Sequence, residues 1–141
     1  MVVSKEQKNK FINWFEERLG KVKYSMDLDK RQGPDYYDCS SAVFNALIAA
    51  GILDEGHIIG STEDLFALDG IIFEEIDFSE LQSGDIFVAG EKGNSLGSNG
   101  HTGVYYSDDK IIHCNYKDNG ISITEIEGRA GGPPVYWYRF K

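Results

Sequence analysis

The stretch Tyr37-Asp38-Cys39-Ser40-Ser41-Ala42-Val43-Phe44-Asn45-Ala46-Leu47-Ile48-Ala49-Ala50-Gly51 decides how the rest of the chain is read. It predicts a helix that starts at Asp38 or Cys39, carries Ala42, Val43, Ala46, Leu47 and Ala50 on one face, and stops at Gly51. A cysteine in the first turn of a helix meets unpaired backbone N–H groups and the positive end of the helix dipole, both favouring thiolate. Those N–H groups also suit an oxyanion formed when the sulfur attacks a carbonyl. Cys39 is therefore the candidate nucleophile. With an imidazole beside it, a resting thiolate is expected.

Upstream, Ser4 and Gln7 fit a capping box, and Phe11, Trp14, Phe15 and Leu19 recur with helical spacing up to a stop at Gly20. That aromatic stripe reads as core. Between the two helices the pattern lapses around Gly33-Pro34-Asp35, and Tyr24, Tyr36 and Tyr37 lie in a loop-like stretch suited to ligand contacts. Downstream, Ser61-Thr62-Glu63-Asp64 opens a short third helix that Gly70 closes.

Beyond Gly70 the composition turns to strands, at residues 86–89, 102–106, 110–116, 121–126 and 135–140. The short turns at Ser107-Asp108-Asp109 and Lys117-Asp118-Asn119-Gly120 require antiparallel neighbours. Helices first and a strand meander afterwards is an α+β layout, with the N-terminal helices packed on an antiparallel sheet of about five strands. The Gly/Ser-rich segment from Gly90 to Gly100 reads as a mobile loop that delivers the chain to His101.

Two histidines complete the constellation. His101 starts one strand in Gly100-His101-Thr102-Gly103, and His113 ends the next in Lys110-Ile111-Ile112-His113. A turn of two or three residues between them brings both near one end of a hairpin, so that one imidazole can pair with Cys39 and the other can orient it. Alternation puts His113 and Asn115 on one strand face and Cys114 on the other, where Cys114 serves as a small core residue. A metal site from Cys39, His101, His113 and Cys114 is the competing chemistry, and that alternation opposes it. Neither a metal nor another cofactor is expected. His57 reads as a surface loop residue.

The 141 residues hold 14 Lys+Arg against 23 Asp+Glu, a net charge of −9, which argues against nucleic acid or an anionic membrane surface as partner. No apolar run approaches the ~20 residues that span a bilayer, and no apolar leader segment is visible. Length and uniform composition predict one domain over residues 1–141. Two cysteines do not make a disulfide framework.

Asp38-Cys39-Ser40-Ser41, then Ser83-Gly84-Asp85-Ile86-Phe87, then Gly100-His101-Thr102-Gly103-Val104-Tyr105, then His113 follow the motif order of the NlpC-like cysteine peptidases, whose core is papain-like. The chain resembles more closely the phage peptidoglycan amidases, the catalytic domains of endolysins. The phrases that carry this are Tyr24-Ser25-Met26-Asp27, Gly33-Pro34-Asp35, Tyr37-Asp38-Cys39-Ser40-Ser41, Gly100-His101-Thr102-Gly103 and Ile111-Ile112-His113-Cys114-Asn115-Tyr116. The resemblance implies a cell-wall hydrolase with Cys39 as nucleophile, His101 as general base and His113 orienting it, with Asn115 on the same strand face. It implies that Tyr24 lines the site and donates to the oxyanion, and that Asp38 and Ser40 help bind the peptide, although Asp38 also suits a helix cap.

The bond cut is expected to be the N-acetylmuramoyl–L-alanine amide. The alternatives are a bond within the stem peptide, D-glutamyl or D-glutaminyl to L-lysine, or a protein substrate. A lysin of this kind waits in the host cytoplasm without a signal peptide and reaches the wall after release. At −9 the domain is not drawn to a wall rich in anionic polymers, so a separate wall-binding module or subunit outside this chain is expected.

Overall fold

A computed structural model describes residues 2–141. Helix α1 (Lys5–Glu17) begins with the capping box, in which Ser4 Oγ accepts from the Gln7 N–H and Gln7 Oε1 accepts from the Ser4 N–H. Its stripe Phe11, Trp14 and Phe15 is buried. Leu19 departs from the expected stripe and is 39% exposed, because the helix is capped at Arg18 and the chain has turned away by Gly20. Two short strands follow, β1 (Lys23–Tyr24) and β2 (Tyr36–Tyr37), paired in parallel ahead of α2 (Cys39–Ala49).

Helix α2 is buried nearly all round from Cys39 to Leu47, as its apolar composition requires. Helix α3 is shorter than the sequence suggested, spanning Thr62–Phe66 after an N-cap at Ser61. The strands β3 (Phe73–Ile76), β4 (Ile86–Ala89), β5 (His101–Ser107), β6 (Lys110–Asn115), β7 (Gly120–Glu125) and β8 (Val135–Phe140) form one sheet in the order β3-β8-β4-β5-β6-β7. Every neighbouring pair in it is antiparallel.

The sheet thus has six strands and not about five. The missed strand is β3, an edge strand in which Glu74 and Glu75 are exposed and only Phe73 is fully buried. With four residues and two charges it lacks the apolar alternation that identifies a half-buried strand.

The main core lies between the helices and one sheet face: Phe11, Phe15, Phe44 and Leu47 pack on Ile86, Val88, Val104, Ile112 and Tyr138. The opposite face carries a smaller cluster of Phe87, Ile111, Ala130 and Trp137. The Gly84-Asp85 phrase has a structural reason. Gly84 takes φ +97°, and the Asp85 carboxylate accepts from Arg139 Nε at 3.1 Å and Nη2 at 2.9 Å, fastening the start of β4 to β8.

Candidate active site

Asp38 caps α2: its Oδ1 accepts the Ser41 N–H at 2.8 Å, and the Ser41 hydroxyl accepts the Asp38 N–H at 2.9 Å. This holds Cys39 at the first helical position, buried against the start of β5. The N–H groups of Ser40 and Thr102 face the sulfur and lower its pKa, but burial and then the Asp38 carboxylate outweigh them and push the thiol up to about 12. The expectation of a resting thiolate is therefore corrected. The helix start does supply N–H groups, but removal of water from the sulfur is the larger effect.

His101 and His113 share the sheet face that carries Phe87, whose ring lies 5.7 Å and 6.5 Å from theirs. His101 Nε2 is 2.7 Å from His113 Nδ1, and His113 Nε2 is 2.9 Å from Thr124 Oγ1. The direction of this chain assigns the tautomers. Thr124 donates its one hydroxyl hydrogen to the Glu125 carbonyl at 3.1 Å, so it accepts from His113 Nε2–H. His113 Nδ1 is then an acceptor, and His101 donates to it from Nε2. His101 Nδ1 is left with a free lone pair.

Both imidazoles are held neutral. Burial, then the Arg129 guanidinium, lowers His101 to about 4. Burial, the neighbouring His101 and Arg129 together lower His113 to about 3. Among the described residues no hydrogen bond joins Cys39 to His101, but the depressions that they line share Tyr24, Met26 and Gly97 as walls.

Gly103 explains how the rings fit. A Cβ there would come within 2.6 Å of His113 Cβ and 2.9 Å of the Phe87 ring. Cys114 lies on the other side, buried, and donates from Sγ to the Tyr37 carbonyl at 3.3 Å. The four candidate metal ligands therefore do not converge.

The profile of a family described as bacteriophage peptidoglycan hydrolase matches residues 7–141. The chain belongs to this family. The chain is 43% identical over 138 residues to the Lysin of Pneumococcus phage Dp-1, a match that covers 92% of this chain and 45% of that one. It thus spans less than half the length of that relative. Among solved structures it resembles the P60 domain of an antigen of Mycobacterium avium subspecies paratuberculosis, with TM-score 0.68 and 15% identity, over 94% of this chain and 93% of that one. It also resembles the peptidoglycan hydrolase RipB of Mycobacterium tuberculosis, with TM-score 0.69 and 16% identity, over 94% and 64% of the two chains. The chain therefore has the NlpC/P60 fold that its motif order implied.

Several residues of the candidate site are not legible in the sequence. Arg31 is buried and forms a bidentate pair with Asp38, at 2.6 Å from Nε and 3.1 Å from Nη2. It also donates to Ser40 Oγ and to the Ile59 and Gly60 carbonyls. Asp38 and Ser40 are thus engaged in a buried network at the cleft wall. Among the described residues no hydrogen bond joins Asn115 to His101; its side chain joins Arg129 at 3.1 Å, Ser122 at 2.9 Å and the Asp118 N–H at 2.9 Å.

The Gly90–Gly100 loop is pinned and not free. Buried Ser95 donates its N–H and hydroxyl to Glu63, which also accepts the Gly93 N–H. Tyr24 lines the cleft, and burial, then Cys39 and Asp38, hold its phenol protonated. Tyr37 instead belongs to the core, edge-on to Trp14 at 5.1 Å. His57 stacks on Phe44 at 5.9 Å, half-buried. Arg31, Thr124 and Glu63 gave no sequence signal, since lone polar residues acquire these roles only when distant segments meet.

Proposed function

We propose that this domain cleaves the N-acetylmuramoyl–L-alanine amide of peptidoglycan through Cys39, as the catalytic part of an endolysin. The observation that carries the reading is the Thr124–His113–His101 chain, which leaves Nδ1 unprotonated on His101, whose depression shares Tyr24, Met26 and Gly97 with the one that Cys39 lines. As Sγ attacks the lactyl carbonyl carbon, the thiol proton passes to His101 Nδ1 and the carbonyl electrons move onto oxygen. Helix-start N–H groups and the protonated Tyr24 phenol are the available oxyanion donors. Collapse breaks the C–N bond, and the L-alanine amine leaves with the proton from His101. Water then hydrolyses the thioester and restores the thiol. A neutral thiol and neutral imidazole make this a general-base attack coupled to proton transfer, without a preformed ion pair.

The phrases around Tyr24, Cys39, His101 and His113 support the amidase reading over the endopeptidase one, because they are the phrases in which the chain resembles the phage amidases. Delivery from the host cytoplasm to the wall after release belongs to the same reading. So does a separate wall-binding module, since the match covers only 45% of Lysin. Mass spectrometry of fragments released from purified walls tests the bond. Intact stem peptides beginning at L-alanine are expected; stems cut between D-glutamate or D-glutamine and L-lysine would replace the reading with an endopeptidase. Cys39→Ala should release nothing while staying folded.

A further inference from the structure

Seven of the eight tyrosines are buried or half-buried, and Tyr116 alone among them is 81% exposed. It sits directly after β6, beside the candidate site. Its place is fixed from three directions. Asn115 before it is tied to Arg129, Ser122 and Asp118. Its own carbonyl accepts the Asn119 N–H at 3.0 Å. Asn119 Oδ1 in turn accepts the Tyr24 N–H at 3.1 Å, joining this turn to β1. The Tyr24 ring stands edge-on to Tyr116 at 5.9 Å and 80°. A large aromatic ring is thus presented to water on a fixed turn, with an open depression of about 630 Å³ alongside, walled by Ser25, Met26 and Lys117 as well.

Tyr24 and Met26 also wall the depression that Cys39 lines, so the two depressions share a wall. They differ in lining. The Cys39 side is smaller, about 340 Å³, and carries Arg31, the Ile59–Gly60 backbone, Thr62 and Asp64, which suits an extended peptide. The Tyr116 side offers an aromatic face, the 49% exposed Met26 and the Lys117 ammonium, which has no ion pair among the described residues.

We infer that Tyr116, with Tyr24 and Lys117, forms a subsite for an N-acetylated sugar ring of the glycan strand. This rests on the amidase reading, in which the acyl half held on Cys39 bears the sugar. A pyranose ring offers an apolar face of C–H groups to an aromatic ring and hydroxyl and acetamido groups to Lys117 and Asn119. A glycan also continues past the scissile site in both directions, so it needs an open wall and not a closed pocket.

The test is an NMR titration of the 141-residue Cys39→Ala protein with a peptide-free tetrasaccharide of alternating N-acetylglucosamine and N-acetylmuramic acid, and separately with a glycan-free stem peptide. The tetrasaccharide is expected to shift Tyr116 and Lys117, and the peptide to shift residues around Arg31 and Thr62. A tetrasaccharide that leaves Tyr116 unmoved, or a peptide alone that shifts it, overturns the inference. Kinetically, Tyr116→Ala should raise KM for soluble wall fragments roughly ten-fold and Tyr116→Trp should recover it. An unchanged KM in Tyr116→Ala also overturns it. Fragments with cut stems would remove the amidase reading by themselves, and the titration would still decide the sugar subsite.

Discussion

His101 and His113 meet as diagonal neighbours across a hairpin, with Nε2 of one 2.7 Å from Nδ1 of the other. Val104 pairs with Ile112, so continuing that register sets Gly103 opposite His113 and His101 opposite Asn115. The absence of a side chain at position 103 lets the two rings come together over Phe87.

Removing the acceptor at His113 should release His101 to adopt the wrong tautomer. His113→Ala is expected to lower kcat about 100-fold, while His113→Asn, which keeps an acceptor oxygen, should recover part of the loss. Thr124→Val should cost roughly ten-fold by the same route, since valine cannot accept from His113 Nε2. Equal rates for the Ala and Asn variants would show that His113 contributes bulk and not direction.

Gly103→Ala should reproduce the His113→Ala defect. The added methyl meets His113 Cβ at 2.6 Å and must displace either that residue or Phe87. Overpacking of this kind costs about 1–3 kcal/mol, so urea unfolding should show a folded but weakened protein. Full activity in the alanine variant would mean that the strands can separate without moving the relay.

Thiol reactivity reports the protonation state. With Cys39 raised to about 12, alkylation by iodoacetamide should accelerate steadily from pH 6 to pH 9. A thiolate–imidazolium pair would give a rate already flat at pH 6. On the acid side the general base is lost as His101 protonates, so kcat/KM should fall near pH 4.

The same histidines make stability depend on pH. Above about pH 6.5 they are neutral in both the folded and unfolded chains and contribute nothing to the slope. Below it the unfolded imidazoles take up protons. The folded ones do not until about pH 4 for His101 and about pH 3 for His113. Stability should therefore fall with acid by about 1.4 kcal/mol per pH unit per histidine across that window. Urea midpoints at pH 7, 6 and 5 measure it, and His113→Asn should halve the slope.

Arg31→Ala should be the most damaging change in the cleft wall. It would leave the buried Asp38 carboxylate without its bidentate partner, at a cost of about 3–5 kcal/mol and a Tm lower by about 10 °C. Arg31→Ala combined with Asp38→Asn should recover much of that stability, because no buried charge is then left alone. Calorimetry of the single and double variants decides the point.

Much of this site could be read in the linear chain because its parts are local. Asp38, Cys39 and Ser41 define a capped helix start within four residues, and the stripe from Phe11 to Phe15 marks a buried helix face. The glycines at 100 and 103 flank the histidine that opens β5. Long-range partners could not be read this way. Arg31 reaches Gly60 and Glu63 reaches Ser95 across gaps with no periodic pattern, and β3 hides its pairing behind two exposed glutamates.

The sequence alone determined the residue types, their order and the hairpin that carries both histidines; it left that hairpin's turn at two or three residues. With two, strand alternation puts His101 and His113 on opposite faces, and with three, on the same face. The folded chain uses a two-residue turn at Asp108-Asp109, with Ser107 paired to Lys110, and then shifts register between Tyr105 and Ser107. That bulge adds one residue on β5 and turns His101 to the face of His113. The tertiary structure likewise decided the charge state. The helix start that the sequence displays draws the thiol toward ionisation, but the packing of α2 against β5 removes the water that would have stabilised the anion.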